Sequence, residues 1–314
     1  MQFLEELERY GPTSPPCLMS LSEARAYCER LATSHYENFS VLTWLTPKAA
    51  RPHFAAVYAF CRWSDDLGDE VGDRDRSRAL LEWWDDRLKA MYAGEASHPI
   101  LIALADTVKT HDIPIAPFHD LISAFTQDQD VVEYQTFGQL LDYCKRSADP
   151  VGRLVLYLCN AYSPRNAQLS DRTCTGLQLA NFWQDVSRDL DLGRIYLPGD
   201  DRQRFGLDEE SLRDKRFTTE YRDLLRFEVE RARHLLIEGR ELLCQLRGQF
   251  RLTIDVFNRG GLAILDAIDR ADFDTLSHRP QVRKIQKIGI MADALLRRPI
   301  APSRMQHPSS EQGR

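Results

Sequence analysis

The stretch Gln178–Pro198, QLANFWQDVSRDLDLGRIYLP, sets carboxylates at Asp185 and Asp189, one helical turn apart and beside Phe182 and Trp183. At about 100° per residue, Gln178, Asn181, Asp185 and Asp189 fall within about 80° of one helix face. Arg188 and Arg194 stand nearby. Aspartate is a poor helix former, and like charges four residues apart repel. A solvated face has no need of aromatic neighbours, whereas acids in a partly dry site require cations.

A second stretch carries the same signature. In Arg51–Glu70, RPHFAAVYAFCRWSDDLGDE, the residues Arg51, Ala55, Tyr58, Arg62, Asp65 and Asp69 share one face. The plain alternative is a pair of exposed helices laced by ion pairs worth about 0.2–0.5 kcal/mol each. Four aspartates at inner-helix positions, flanked by Tyr58, Phe60, Trp63, Phe182 and Trp183, weigh against it. The acids offer oxygen ligands with no Cys or His cluster, which selects a hard ion, Mg2+ or alternatively Mn2+. Magnesium usually keeps waters and binds through a few carboxylates plus substrate phosphates. Two Asp-rich helices, each with an arginine, therefore point to a diphosphate held through metal. No Walker loop and no G-x-G-x-x-G is present, so a nucleotide is disfavoured; the missing fingerprint is only a weak sign against a dinucleotide, and NADPH is not expected.

The remainder of the 314 residues reads as helix almost throughout. Helices are expected over Ser20–Ala32 (capped by Ser20 or Ser22), from near Pro47 to Glu70, over Ser77–Gly94 and Pro99–Ile113, and near 118–129. They continue over Phe137–Tyr162 with a kink at Pro150, over Ser170–Gly193 with Ser170 as cap, and over 218–248, 251–272 and 280–297. Residues 194–206 read as a loop. One all-α domain over 1–300 is expected, with a disordered polar tail over 301–314. Apolar residues make up 43% and the net charge is −6, which supports a sizeable core and disfavours nucleic acid as a partner. The absence of an apolar run of spanning length and of a signal-peptide core predicts a cytoplasmic protein. Seven scattered cysteines without a C-x-x-C pair predict reduced thiols.

Taken together, YAFCRWSDDLGDE (Tyr58–Glu70) and QLANFWQDVSRDLDLGRIYLP resemble the squalene/phytoene synthase family, over about residues 20–297. The resemblance implies an all-α isoprenoid synthase bundle around a central apolar cavity, with the two Asp motifs facing each other at its mouth. It implies that Asp65 and Asp69 form the first metal motif. Asp185 and Asp189 would form the second, with Asn181 as a further ligand. Arg62 and Arg194 match diphosphate-contacting positions; Gln178, Arg188 and Arg51 are further substrate-binding candidates. The segment YCKRSADPVGRLVL (Tyr143–Leu156) departs from the family's Val-Ala-Gly-x-Val-Gly pattern, so contacts made there by glycine do not transfer.

The string SHYENFSV (Ser34–Val41) and SADPVG (Ser147–Gly152) look like the hydroxysqualene-forming branch, found in bacterial hopanoid pathways. That likeness implies a lyase-type reaction on presqualene diphosphate, with water quenching the carbocation. Phe39 joins the substrate contacts, and Tyr36, Tyr58 and Tyr143 are candidates to place the water or shield the cation. Pathway partners would be the enzyme supplying presqualene diphosphate and a dehydroxylase consuming hydroxysqualene. Lipid substrate and product make loose peripheral membrane contact reasonable. The alternative is a sister enzyme condensing two prenyl diphosphates head to head to presqualene diphosphate, squalene or phytoene. A non-catalytic relative would have lost acids from these motifs, and all four are present.

Overall fold

A computed structural model describes residues 2–34, 47–283 and 286. Among them the architecture is all-α, with a lone bridge between Glu133 and Ile195 in place of any strand. The helices are α1 (Gln2–Tyr10), α2 (Leu21–Ser34), α3 (Arg51–Asp69), α4 (Arg74–Tyr92), α5 (Pro99–His111) and α6 (Ala116–Gln127). They continue as α7 (Phe137–Ser147), α8 (Asp149–Leu158), α9 (Pro164–Asp191), α10 (Gly199–Arg204), α11 (Glu209–Arg213), α12 (Thr219–Gly239) and α13 (Gly248–Arg270). A 3-10 turn over Arg240–Cys244 separates the last two. No described helix is long and apolar enough to cross a membrane.

Local chemistry sets most of these boundaries. Ser20 caps α2 reciprocally with Glu23, which settles the choice between the two serines. Asp73 caps α4, Thr136 forms a capping box with Gln139 at α7, and Thr218 caps α12. Pro52 sits in the first turn of α3, where its missing N–H costs nothing.

Several expectations need correction. The helix bearing the second Asp motif starts at Pro164, not at Ser170. Ser163 accepts the Asn166 N–H and Pro164 pre-sets the first turn, while Ser170 is buried inside the helix. The expected kink at Pro150 is a full break at Ala148, after which Pro150 opens α8. The 218–248 helix ends at Gly239, where the chain tightens into the 3-10 turn. Residues 194–206 contain the short helix α10, and the N-terminus forms α1. The helix expected over 280–297 and the tail over 301–314 lie mostly or wholly outside the described residues.

Two apolar clusters organise the packing. One gathers α2 to α6 around Phe60, Trp63, Trp84 and Phe118; full burial of a side chain such as Phe60 stabilises by roughly 1.5–3 kcal/mol. The other gathers α7, α9, α12 and α13 around Trp183, Tyr221, Leu236 and Leu265. Helix α9 is about 42 Å long and runs close against α12. A Cβ placed at Gly176 would lie 2.8 Å from Leu236 Cγ, so only glycine permits that approach. Trp63 and Trp183 are fully buried, as packing residues should be. Helix α3 belongs to the first cluster and α9 to the second, so the two acidic faces are carried by separate halves of the core.

Candidate active site at the meeting of two acidic helices

Asp65 and Asp69 project from the last turns of α3. The Asp65 side chain keeps 39% of its surface open, yet protein surrounds it on most sides. Burial pushes its carboxyl up to about 7, with repulsion from Asp69 adding to the rise and Arg62 opposing it. Arg62 pairs with Asp66 one turn on and lies 3.4 Å from Asp65. Burial disfavours the charge on Arg62, but Asp66 and Asp65 outweigh it and hold the guanidinium protonated. Tyr58, one turn before Arg62, is half-buried, and burial raises its phenol above the ordinary range.

On α9, Asp189 resembles Asp65. Burial, and then repulsion from Asp185, pushes it up to about 7 against Arg194 and Arg188. Asp185 has a different environment. It is 13% exposed and takes both arms of Arg279, Nε to Oδ1 and Nη2 to Oδ2 at 2.9 Å. The same Nη2 donates to Gln184 Oε1 at 3.0 Å, and Gln184 donates to the Pro280 carbonyl at 2.6 Å. Gln178 is half-buried two turns before Asp185, whereas Asn181, Arg188 and Arg51 are exposed.

Arg194 joins the two motifs. It lies just after α9 and its Nη2 donates to Asp69 Oδ1 at 3.4 Å, across 125 residues of sequence. It lines an open recess of about 280 Å³ with Gly68, Asp69, Arg74, Asp128 and Gln129. It also lines a small pocket with Asp189, Phe182, Trp183 and Tyr196. Burial opposes its charge, but Tyr196, Asp69 and Asp128 together raise it further. The turn that places Arg194 uses Gly193 at φ +72°, a conformation side-chain-bearing residues rarely adopt.

Three participants went unassigned in the sequence. Asp128, just past α6, accepts the Tyr143 hydroxyl at 2.8 Å, and burial takes its carboxyl up to about 6 against that bond and Arg194. Tyr143 is itself 4% exposed, so its phenol reaches the site through Asp128. Tyr196 stacks on Phe182 with centroids 3.8 Å apart and planes 8° off parallel, and neighbours Tyr134 and Tyr143. Arg279 is the third. The acid-rich run TQDQDVVEY (Thr126–Tyr134) and the tyrosine of RIYLP were visible signals; Arg279 had none. Tyr36 and Phe39 lie outside the described residues.

The donors suit a hard cation. Asp65, Asp69, Asp128 and Asp189 present only oxygen, and three of these carboxyls are raised first by burial and then by neighbouring carboxylates, a repulsion that a bound cation would relieve. Among the described residues, no three His, Cys, Asp or Glu side chains form a ready-made metal cage. An ion that keeps its waters and shares a substrate's phosphates needs none.

Comparison with known proteins bears on the family and the fold. The squalene/phytoene synthase model matches residues 32–286. The structure of squalene synthase HpnC from Alicyclobacillus acidocaldarius is 44% identical, with a TM-score of 0.78, and the match covers 81% of this chain and 95% of that one. A dehydrosqualene synthase solved with a ligand is 25% identical, with a TM-score of 0.79 over 88% of this chain and 96% of its own. The 15-cis-phytoene synthase of Synechococcus elongatus is 30% identical over 292 residues, 89% of this chain and 95% of the relative.

Proposed function

The chain belongs to the squalene/phytoene synthase family, and from that premise we propose that it ionises presqualene diphosphate and quenches the carbocation with water to give hydroxysqualene. The observation that carries this reading is Arg194, which follows the second Asp motif and touches Asp69 of the first. A diphosphate at that junction meets the Arg194 and Arg62 guanidiniums and the carboxylates of Asp65, Asp69, Asp128 and Asp189.

Breaking the C–O bond leaves a carbocation and a diphosphate. Fixed positive groups aimed at the leaving group stabilise charge that appears only in the transition state. Asp65, Asp69 and Asp189, with Asp185 and Asn181 as further ligands, would hold a magnesium ion, which would supply additional neutralisation of that diphosphate. Gln178, Arg188, Arg51 and Phe39 complete the substrate contacts in this reading. The stacked rings of Phe182 and Tyr196 present π-faces beside the acids, where a cation is attracted. Tyr36 and Tyr58 place the water or shield the cation, and Tyr143 acts through the Asp128 carboxylate that accepts its hydroxyl.

The 44% identity to a squalene synthase, against 25% and 30% to the dehydrosqualene and phytoene synthases, favours the squalene branch. A second reading, head-to-head condensation of two prenyl diphosphates, is favoured by the phytoene synthases that align along nearly the whole chain. Separate incubations with Mg2+ and farnesyl, geranylgeranyl or presqualene diphosphate, each with and without NADPH, distinguish the two. Hydroxysqualene from presqualene diphosphate alone, without NADPH, is the expected result; phytoene from geranylgeranyl diphosphate overturns it. A cytoplasmic location, loose contact with a membrane surface, and hand-over from a presqualene diphosphate synthase to a dehydroxylase accompany this proposal.

A further inference from the structure

Behind α9, on the side away from the acids, two buried carboxylates share one arginine. Glu228 on α12 is 0% exposed and Asp201 on α10 is 4% exposed. Arg231 Nη1 donates to Glu228 Oε1 at 3.1 Å and also to Asp201 Oδ2. The Arg231 guanidinium lies over the rings of Phe137 and Phe227, 4.2 and 4.1 Å from their centroids, and keeps 28% of its own side-chain surface open, so the burial falls on the two carboxylates. Among the described residues, Glu228 Oε2 receives no hydrogen bond from a donor, and the Asp201 carboxyl lies close enough to raise the Glu228 carboxyl further. Arg202, next to Asp201, is occupied by Glu133 and Glu209. The charged groups around Glu228 are therefore Arg231 on its own helix and Asp201 opposite, with the Arg202–Glu133–Glu209 set beyond. One cation does not balance two buried anions, and a fully buried, uncompensated carboxylate is strongly disfavoured.

The cluster sits where it can act on the site. Asp201 ends the segment that carries Arg194 and Tyr196, and that segment is pinned along residues 132–135 through Ile195 N–H to Val132 O and Gly199 N–H to Tyr134 O. On the other side, the Glu228 carbonyl accepts the Trp183 indole N–H at 3.1 Å, two residues before Asp185. The tie from α12 through Arg231 to Asp201 thus anchors the chain that delivers Arg194.

We propose that Glu228 is a positioning residue held as a neutral carboxylic acid. Its neutrality leaves Arg231 free to hold Asp201 and, through residues 194–201, to keep Arg194 at the junction of the two Asp motifs. Loss of the Glu228 proton places a second anion on Arg231, loosens Asp201, and weakens the grip on diphosphate. Burial pushes this carboxyl up to about 8, so the change falls in mild alkali. The inference rests on the reading that Arg194 contacts diphosphate.

The test compares the full-length wild type with Glu228→Gln, which keeps the shape and removes the charge. Inorganic pyrophosphate binding in saturating Mg2+ is measured by calorimetry from pH 7 to about 9. Wild type should weaken several-fold more than Glu228→Gln over that range, because titration of the site acids is common to both. Thermal midpoints are measured alongside. Glu228 binds a proton in the folded state that it loses in the unfolded state between the ordinary glutamate range and about pH 8, so the midpoint of Glu228→Gln relative to wild type should rise across that window. A constant midpoint difference overturns the neutral acid. A rising difference with parallel binding curves overturns the link to Arg194 while leaving the acid in place. Asp201→Asn provides a second variant should Glu228→Gln fail to fold: Arg231 then serves Glu228 alone, and the alkaline weakening should vanish. Its persistence rejects the proposal.

Discussion

Replacing Arg194 by Gln removes a guanidinium that is 24% exposed and sits between Asp69, Asp128 and Asp189. Two consequences of opposite sign follow. A charge-assisted hydrogen bond contributes about 1.5–3 kcal/mol, and Arg194 is proposed to make such a bond to the departing diphosphate. Its loss should lower kcat/KM by about 10- to 150-fold. Magnesium alone should bind more tightly, because a cation that repelled it is gone. The repulsion of single and double charges several ångströms apart in near-aqueous surroundings is on the order of 1 kcal/mol before screening. Folding stability should change by under about 1 kcal/mol, since Asp69 is 53% exposed and such pairs contribute little. The assay is a Mg2+ titration followed by intrinsic tryptophan fluorescence, repeated with pyrophosphate present, and paired with steady-state turnover. Arg194→Lys, which keeps the charge and loses the planar fork, should recover part of the pyrophosphate affinity. If Arg194→Gln weakened Mg2+ binding, or left pyrophosphate binding unchanged, Arg194 would not be the residue that connects the two motifs to the leaving group.

Magnesium affinity should fall as pH drops from about 8 to 6, with protons released on binding, because Asp65 and Asp189 titrate near 7 and Asp128 near 6. Calorimetry in two buffers of different ionisation enthalpy measures the protons; no buffer dependence would refute the assignment. The same raised carboxyls stabilise the metal-free fold most below their ordinary values, and that contribution is lost as pH rises through about 7. Mg2+ should therefore raise the thermal midpoint more at pH 8 than at pH 6. Arg279→Ala leaves Asp185, 13% exposed, with only the 3.9 Å contact to Arg188 and should cost about 1–2 kcal/mol, below the full cost of breaking a buried pair because Arg279 is itself 31% exposed. Added Mg2+ should recover more of its midpoint loss than it adds to wild type. Gly176→Ala drives a methyl to 2.8 Å from Leu236 Cγ and should destabilise by about 1–3 kcal/mol in denaturant unfolding, with no change in Mg2+ affinity at fixed folded fraction.

The local periodicities carried much of this molecule. A helix repeats its face every turn, so QLANFWQDVSRDLDLG alone placed Asp185 and Asp189 on one stripe, and RPHFAAVYAFCRWSDDLGDE did the same for Asp65 and Asp69. Caps that act within three residues, such as Ser20 with Glu23, were likewise legible. Ser170 misled because a serine reads as a cap only when the preceding chain is not helical, and Ser163-Pro164 had already begun the turn. Which acids are free and which are neutralised belongs to another scale. Arg279 reaches Asp185 across 94 residues, Arg194 reaches Asp69 across 125, and Asp128 enters through Tyr143. Those pairings depend on where the chain reverses and how the two halves of the core pack, so side-chain charge alone cannot specify them. Composition supplied Glu228, Asp201 and Arg231 as well, but only the tertiary packing of α10 against α12 brought both carboxylates, buried, onto one guanidinium.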